Sequence, residues 1–337
     1  MRRAVVAVAF AALVVAGCGG GDDEPEAAPP KENVGEVSPA QLPEEEDIED
    51  AGAERLKVAA DGLTAGGGAV WGNWESTMVR IDPDSGKQTD EIKVPQAPCG
   101  RSAFGYGAVW SQACFDEGLV RVDPSSLEVT HVPLEASDIY NGASGIGVGE
   151  GAVWVVADGE GCEACLLVGV DPDSLEVSHE IEIEPGGASV AVGLGSVWVA
   201  NPEAAVVTRV DPKAGDVVSQ TPVEGSPQYL AVGEGSVWVF DQLGGNVVEL
   251  DSEGEESAVI EADMAGAGGS ITTGNGSVWV HGALTLLEEI DAATGEVVAR
   301  YGPRSGGGDV LVAYGAVWVS RYEEDFEDIL RLPVPSP

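Results

Sequence analysis

The chain is short of positive charge. Its 337 residues carry 16 Lys plus Arg against 58 Asp plus Glu, a formal net charge of −42. A field of that sign repels phosphate backbones and anionic lipid, so it excludes nucleic acid as a partner and leaves a covalent anchor as the route to a membrane. It favours cations, basic partners, or simply a solvated surface, including one suited to high salt. Aromatic residues are also scarce, at 6%, yet eight of them are Trp. Three His and five Cys give little material for catalytic or metal-binding clusters. Beyond the first residues no segment shows a helical hydrophobic period. There is no phosphate loop or dinucleotide fingerprint either, because each Gly-x-Gly lies between strand-like runs and not ahead of a helix. The acidic turns lack EF-hand spacing. What remains is a chain with 44% hydrophobic residues, ample for a large core.

The N-terminus reads as a targeting signal. Met1-Arg2-Arg3 is followed by the fourteen-residue apolar run AVVAVAFAALVVAG, too short to favour a membrane-spanning helix. The run ends in Val15-Ala16-Gly17-Cys18, which resembles a bacterial lipobox. Residues 1–17 are then a lipoprotein signal peptide and Cys18 the lipidated first residue of the mature chain. Positions 22–50 hold twelve acidic residues and one Lys. Such a segment cannot bury enough apolar surface to offset its ordering entropy, so residues 18–53 read as a disordered acidic tether.

The rest of the chain is periodic. The phrases GGGAVW, GYGAVW, GEGAVW, GLGSVW, GEGSVW, GNGSVW and AYGAVW end on Trp71, Trp110, Trp154, Trp198, Trp238, Trp279 and Trp318, at spacings of 39 to 44 residues. That period fits four-stranded propeller blades. Each copy reads as strand, Gly-x-Gly turn, Val-Trp strand, loop, third strand, an Asp-Pro-x-x-Gly type turn such as DPDSG (82–86) or DPKAG (211–215), and a fourth strand. The predicted fold class is all-β: a seven-bladed β-propeller over 54–332, with 333–337 a tail. The last copy lacks a fourth strand. ERLKV (54–58) supplies one, closing the ring and covering an exposed edge. The seven Trp rings fill the layers between blades.

Loops after the second strand and between blades share one face, the place for a grafted site. Counting nine back from each Trp, and two or three forward, brings Arg101, Tyr229, Asp309, Asn201, Asp241, His281 and Arg321 to the axial mouth; Trp74, outside the register, is expected to face a ligand. Arg101 and Arg321 hold an anionic group in a bidentate fork, or pair with Asp241 and Asp309 and merely neutralise an acidic rim. Cys99, Cys114, Cys162 and Cys165 fall on the same face. Disulfides Cys99–Cys114 and Cys162–Cys165 are expected outside the cytoplasm; zinc and a redox Cys-x-x-Cys are weaker readings, the first for spacing and the second for want of a helix N-terminus. His131 and His179 fall in outer strands. No paired carboxylate or nucleophile is demonstrable by spacing.

The stretch GSVWVANPEAAVVTRVDPKAGDVVSQTPVEGSPQYLAVGEGSVWV (195–239) resembles repeats of the YVTN and quinoprotein-like propeller superfamily. It is similar also to the streptogramin (virginiamycin B) lyase family of seven-bladed propellers. The resemblance covers roughly 54–332. Repeats of the lyase family carry Trp-Phe-Thr-Glu where this chain has Trp-Val-Ala-Asn (198–201) or Trp-Val-Phe-Asp (238–241). The family's catalytic pair is a His with a Glu two residues earlier; two residues before His281 stands Trp279. Quinoprotein dehydrogenases have eight blades, which argues against that cofactor. The expectation is a monomeric, membrane-anchored extracytoplasmic lipoprotein binding a cell-envelope protein or small ligand, without catalysis, cofactor or metal. The alternatives are a lyase with His281 as base and a divalent cation polarising the substrate, and a structural envelope protein.

Overall fold

The structure, a computed structural model, describes residues 42–96, 98–113, 118–134, 145–157, 165–266, 268–304, 306–323 and 326–334, with Cys99, Tyr322, Glu323 and Phe326 as backbone only. Residues 1–17, expected to be a signal peptide, and Cys18, Cys114 and Cys162 lie outside those residues.

Seven antiparallel four-stranded units follow one another along the chain, and among the described residues there is no helix. Blade one comprises Gly62–Gly66, Ala69–Trp74, Thr77–Ile81 and Gln88–Lys93, and blades two to six repeat that order. In blade seven the strands Val310–Ala313, Ala316–Glu323 and Phe326–Pro333 are joined at the outer edge by Glu54–Leu56, with Glu54 opposite Arg331 and Leu56 opposite Ile329. The first strands of successive blades lie against one another, and that of blade seven meets that of blade one, so the ring closes.

The repeated phrase now has a physical account. Its turn is a two-residue hairpin with both central residues at positive φ, for example Glu234 at 52° and Gly235 at 90°, which matches the twist of the flanking strands. The first Gly of the phrase serves close packing. A Cβ on Gly66, Gly105, Gly149, Gly193, Gly233 or Gly274 would stand 2.1–2.8 Å from a side chain of the next blade, respectively Phe104, Val148, Val192, Val232, Thr273 and Val312. In blade seven that Gly is Ala313. The matching position in blade one is Ala65, and both alanines pack against the same apolar cluster, so a methyl group fits where the facing side chain is only a methyl.

Each blade Trp is essentially solvent-free. In six blades the indole Nε1 donates to the carbonyl five residues earlier, at 3.0–3.2 Å, which satisfies the one polar atom of a buried ring. Four rings carry an Arg from the third strand over their face, at 5.5–5.8 Å: Arg80 on Trp71, Arg121 on Trp110, Arg209 on Trp198 and Arg331 on Trp318. Thus four of the eleven arginines are structural. The Asp of each outer turn caps its own loop. Asp123 Oδ1 accepts from the backbone N–H of Ser125 and Ser126, both at 2.8 Å.

One boundary differs from the sequence reading. The stretch taken as tether up to residue 53 is structured from residue 42, and Glu45–Asp47 forms a fifth strand on blade six, parallel to its outer strand, with Glu45 opposite Arg300 and Asp47 opposite Gly302. The cause is the one large aliphatic residue among the acids. Ile48 is 1% exposed and packs with Trp279, Leu286 and Leu330, while the three acidic side chains before it point to solvent. Its backbone N–H donates to Gly302 at 2.9 Å.

Candidate functional site

At one end of the axis lies a cavity of about 160 Å3, lined by Asp61, Arg101, Tyr229, Ser270 and Asp309 together with six glycines of the blade entries. Four of these side chains, Arg101, Tyr229, Ser270 and Asp309, occupy the position nine residues before a blade Trp, where the first strand meets the channel. A second cavity of about 190 Å3 lies against Leu63, Thr64, Phe104, Ile146, Val190 and Leu311, and Arg101 borders both.

Arg101 is therefore a plug in the channel. It leaves blade two and reaches across: Nε lies 2.9 Å from Asp309 Oδ1, Nη1 donates to the carbonyl of Ile271 at 3.2 Å, and Nη2 to that of Val310 at 3.1 Å. Asp309 is equally committed. Its Oδ2 accepts from the backbone N–H of Leu63 at 2.8 Å, and its Oδ1 also accepts from Ser270 Oγ and from the N–H of Val310. The pair neutralises itself, as one of the two readings of the arginines anticipated. The bond to Leu63 belongs to a relay in which the side chain nine before one Trp accepts from the next blade's backbone: Ser189 from Leu230 at 3.1 Å and Ser270 from Val310 at 3.4 Å.

Asp61 is the residue sequence counting missed; it sits one position further back than the counted register. Its main chain is fixed across the ring seam, its N–H donating to Asn73 O and its carbonyl accepting from Ser320 Oγ of blade seven. Its side chain faces the open mouth. The low-dielectric surroundings, and then the Asp309 carboxylate, push its pKa up to about 6.

The other expected residues do not line the cavity. Asn201 is fully buried, donating to Glu184 O at 2.8 Å and accepting from Thr208 Oγ1 at 2.9 Å. Asp241 caps local backbone, accepting from Ser226 N–H at 2.7 Å and Leu243 N–H at 3.2 Å. Arg321 is buried and pairs in a two-pronged fork with Asp328, both contacts at 2.7 Å, and not with Asp241 or Asp309. Trp74 is half-buried at a strand end. His281 is fully buried, both ring nitrogens lack a hydrogen-bond partner, and burial pulls its pKa down to about 4. An imidazole in that position is neutral, and burial seals it from the mouth, although Asp309 is near enough to act on it electrostatically. Cys165 is buried at the start of a blade-three strand and is not a free thiol; the two expected cysteine pairings involve residues outside those described. Among the described residues, no three His, Cys, Asp or Glu gather as a metal site.

No protein-family model and no curated protein matches the chain. Solved structures do. Virginiamycin B lyase from Staphylococcus aureus aligns with a TM-score of 0.68 at 16% identity, covering 84% of this chain and 99% of its own. The Pan2 WD40 domain of Neurospora crassa aligns at 0.64 and 11%, covering 82% and 90%. BamB from Moraxella catarrhalis aligns at 0.56 and 10%, covering 80% and 81%. At such identities the likeness is one of fold. The chain is a seven-bladed β-propeller, similar in fold to virginiamycin B lyase.

Proposed function

We propose that this propeller is held outside the cytoplasm by a lipidated Cys18 and uses its axial mouth to bind a small ligand or a cell-envelope protein, without chemistry. The observation that carries this reading is the commitment of Arg101 and Asp309 to each other and to backbone groups. A mouth whose charged pair is already neutralised is a rigid rim, in which neither Arg101 nor Asp309 is available to act on a substrate. The elimination alternative needs His281 as base, and burial of that ring speaks against it. The disulfides Cys99–Cys114 and Cys162–Cys165 would stiffen the loops of the same face.

The test uses the full mature chain. Envelope extract is passed over wild-type protein and over an Asp61→Asn variant, and virginiamycin B is incubated with the protein and followed by mass spectrometry. Retention of a partner that depends on the mouth, without loss of virginiamycin B, supports the reading. Turnover abolished by His281→Ala would overturn it. Cys18→Ser should release the protein from the membrane fraction; retention there would remove the anchor from the proposal.

A further inference from the structure

The mouth has an electrostatic asymmetry that points to a class of ligand. Of its three charged side chains, two are spent: every polar atom of Arg101 and both oxygens of Asp309 have partners. Asp61 is different. Among the described residues no hydrogen bond or ion pair reaches its carboxylate. The cavity therefore carries one uncompensated negative charge. The rest of the rim is Gly62, Gly100, Gly268, Gly269, Gly307 and Gly308, which bring backbone to the opening with no side chain to fill it. Tyr229 adds an aromatic wall, stacked on Phe240 with ring centroids 6.0 Å apart.

We propose that the axial mouth is a receptor for an organic monocation, an ammonium or guanidinium group, with Asp61 as its counter-charge. The proposal rests on the mouth being the binding face and names what enters it. A divalent metal fits less well, because one free carboxylate cannot supply the several oxygen ligands such ions require. An anion fits less well, because the Arg101 fork is occupied. The chain's overall charge of −42 raises the local concentration of any basic group. The same chemistry is offered by a free amine and by a Lys or Arg side chain of a basic partner segment.

The groups around Asp61 set the pH dependence. Asp309 and Arg101 cancel, Ser270 does not titrate in the accessible range, and His281 on blade six stays neutral above about pH 4. Asp61, with its pKa near 6, changes charge between pH 5 and 7, so cation binding tightens over that interval and releases a proton below it.

Calorimetry of the full mature chain tests this with n-butylammonium, N-acetyl-lysine methylamide and the neutral N-acetyl-norleucine methylamide. Binding of either cation, absent for the neutral analogue and weakened roughly tenfold or more by Asp61→Asn at pH 7.5, is expected. Gly307→Val is a second variant; a Cβ there meets nothing within 4 Å, so it narrows the mouth without straining the fold. It should abolish cation binding with the melting temperature unchanged. A preference for the lysine derivative identifies a basic protein segment, and equal affinity identifies a free amine; both support the proposal. Cation affinity indifferent to Asp61→Asn, or neutral and charged probes binding alike, overturns it. If Gly307→Val blocks partner retention while no cation binds the wild type, the cation proposal falls and the mouth remains a binding face.

Discussion

Arg101 of blade two and Asp309 of blade seven meet across the channel at 2.9 Å, joining strands that are neighbours only through blade one. The contact makes the inner ring a braced polygon, because the same guanidinium also holds blades six and seven by their carbonyls. Breaking it from one side leaves a buried charge. Arg101→Met should destabilise the protein by about 3–5 kcal/mol, whereas Arg101→Met with Asp309→Asn should recover part of that loss. Urea unfolding of both variants and of Asp309→Asn alone, read as a double-mutant cycle, measures the coupling. Full additivity would show that the brace is incidental.

The packing role of the first Gly in each phrase predicts a specific rescue. Gly105→Ala places a methyl group 2.3 Å from Val148 and should cost about 1–3 kcal/mol by overpacking. Gly105→Ala with Val148→Ala recreates the Ala313 and Ala65 arrangement of the closing seam and should be more stable than Gly105→Ala alone. Thermal melts of the three proteins decide this.

Asp61 should reveal its strain in stability as well as binding. Its folded pKa, about 6, lies above its unfolded value, so the folded state binds the proton more tightly. The penalty is absent when both states are protonated, grows from about pH 4, and is complete above pH 6. Asp61→Asn should therefore raise the melting temperature at pH 7 and leave it unchanged at pH 3.5.

The outer turns behave oppositely. Asp82, Asp123, Asp171, Asp211, Asp251 and Asp291 accept bonds from their own turn backbone or turn side chains, and these hold each carboxyl below the usual carboxylate range. Their contribution is present above the unfolded pKa and lost as pH falls through the folded one. Stability should drop below about pH 4 in steps shared by blades one to six. An Asp123→Ala variant should show a smaller acid-induced loss than wild type in circular dichroism.

Ile48 anchors the extra strand. Ile48→Ala removes a side chain that is 1% exposed and should cost about 2–5 kcal/mol. Proteolysis should then cut near residues 45–53 without dissolving the propeller.

Most of the fold was legible because a 40-residue period forces equivalent residues into equivalent places. The same periodicity located Arg101, Tyr229 and Asp309 at the mouth, since the distance from each Trp fixes where the first strand begins. It failed at the second strand's end. Asn201, Asp241, His281 and Arg321 keep the counted register, but there the side chains are buried, and the first, second and fourth are taken up by local partners that no count contains. Asp61 escaped because it lies before its strand, in a loop whose path depends on Ser320 of blade seven, distant in sequence but adjacent at the seam. Ile48 was obscured by its acidic surroundings, although one large aliphatic residue sufficed to order the chain around it.

The five-stranded blade six has a mechanical consequence. The chain reaches Glu45–Asp47 before it reaches Glu54–Leu56, and the two strands lie on adjacent blades. Any pull on the N-terminal end is therefore borne first by three pairings on blade six, while the strand that completes the circle in blade seven is loaded only after those have parted. The ring's most vulnerable joint sits behind a breakaway link.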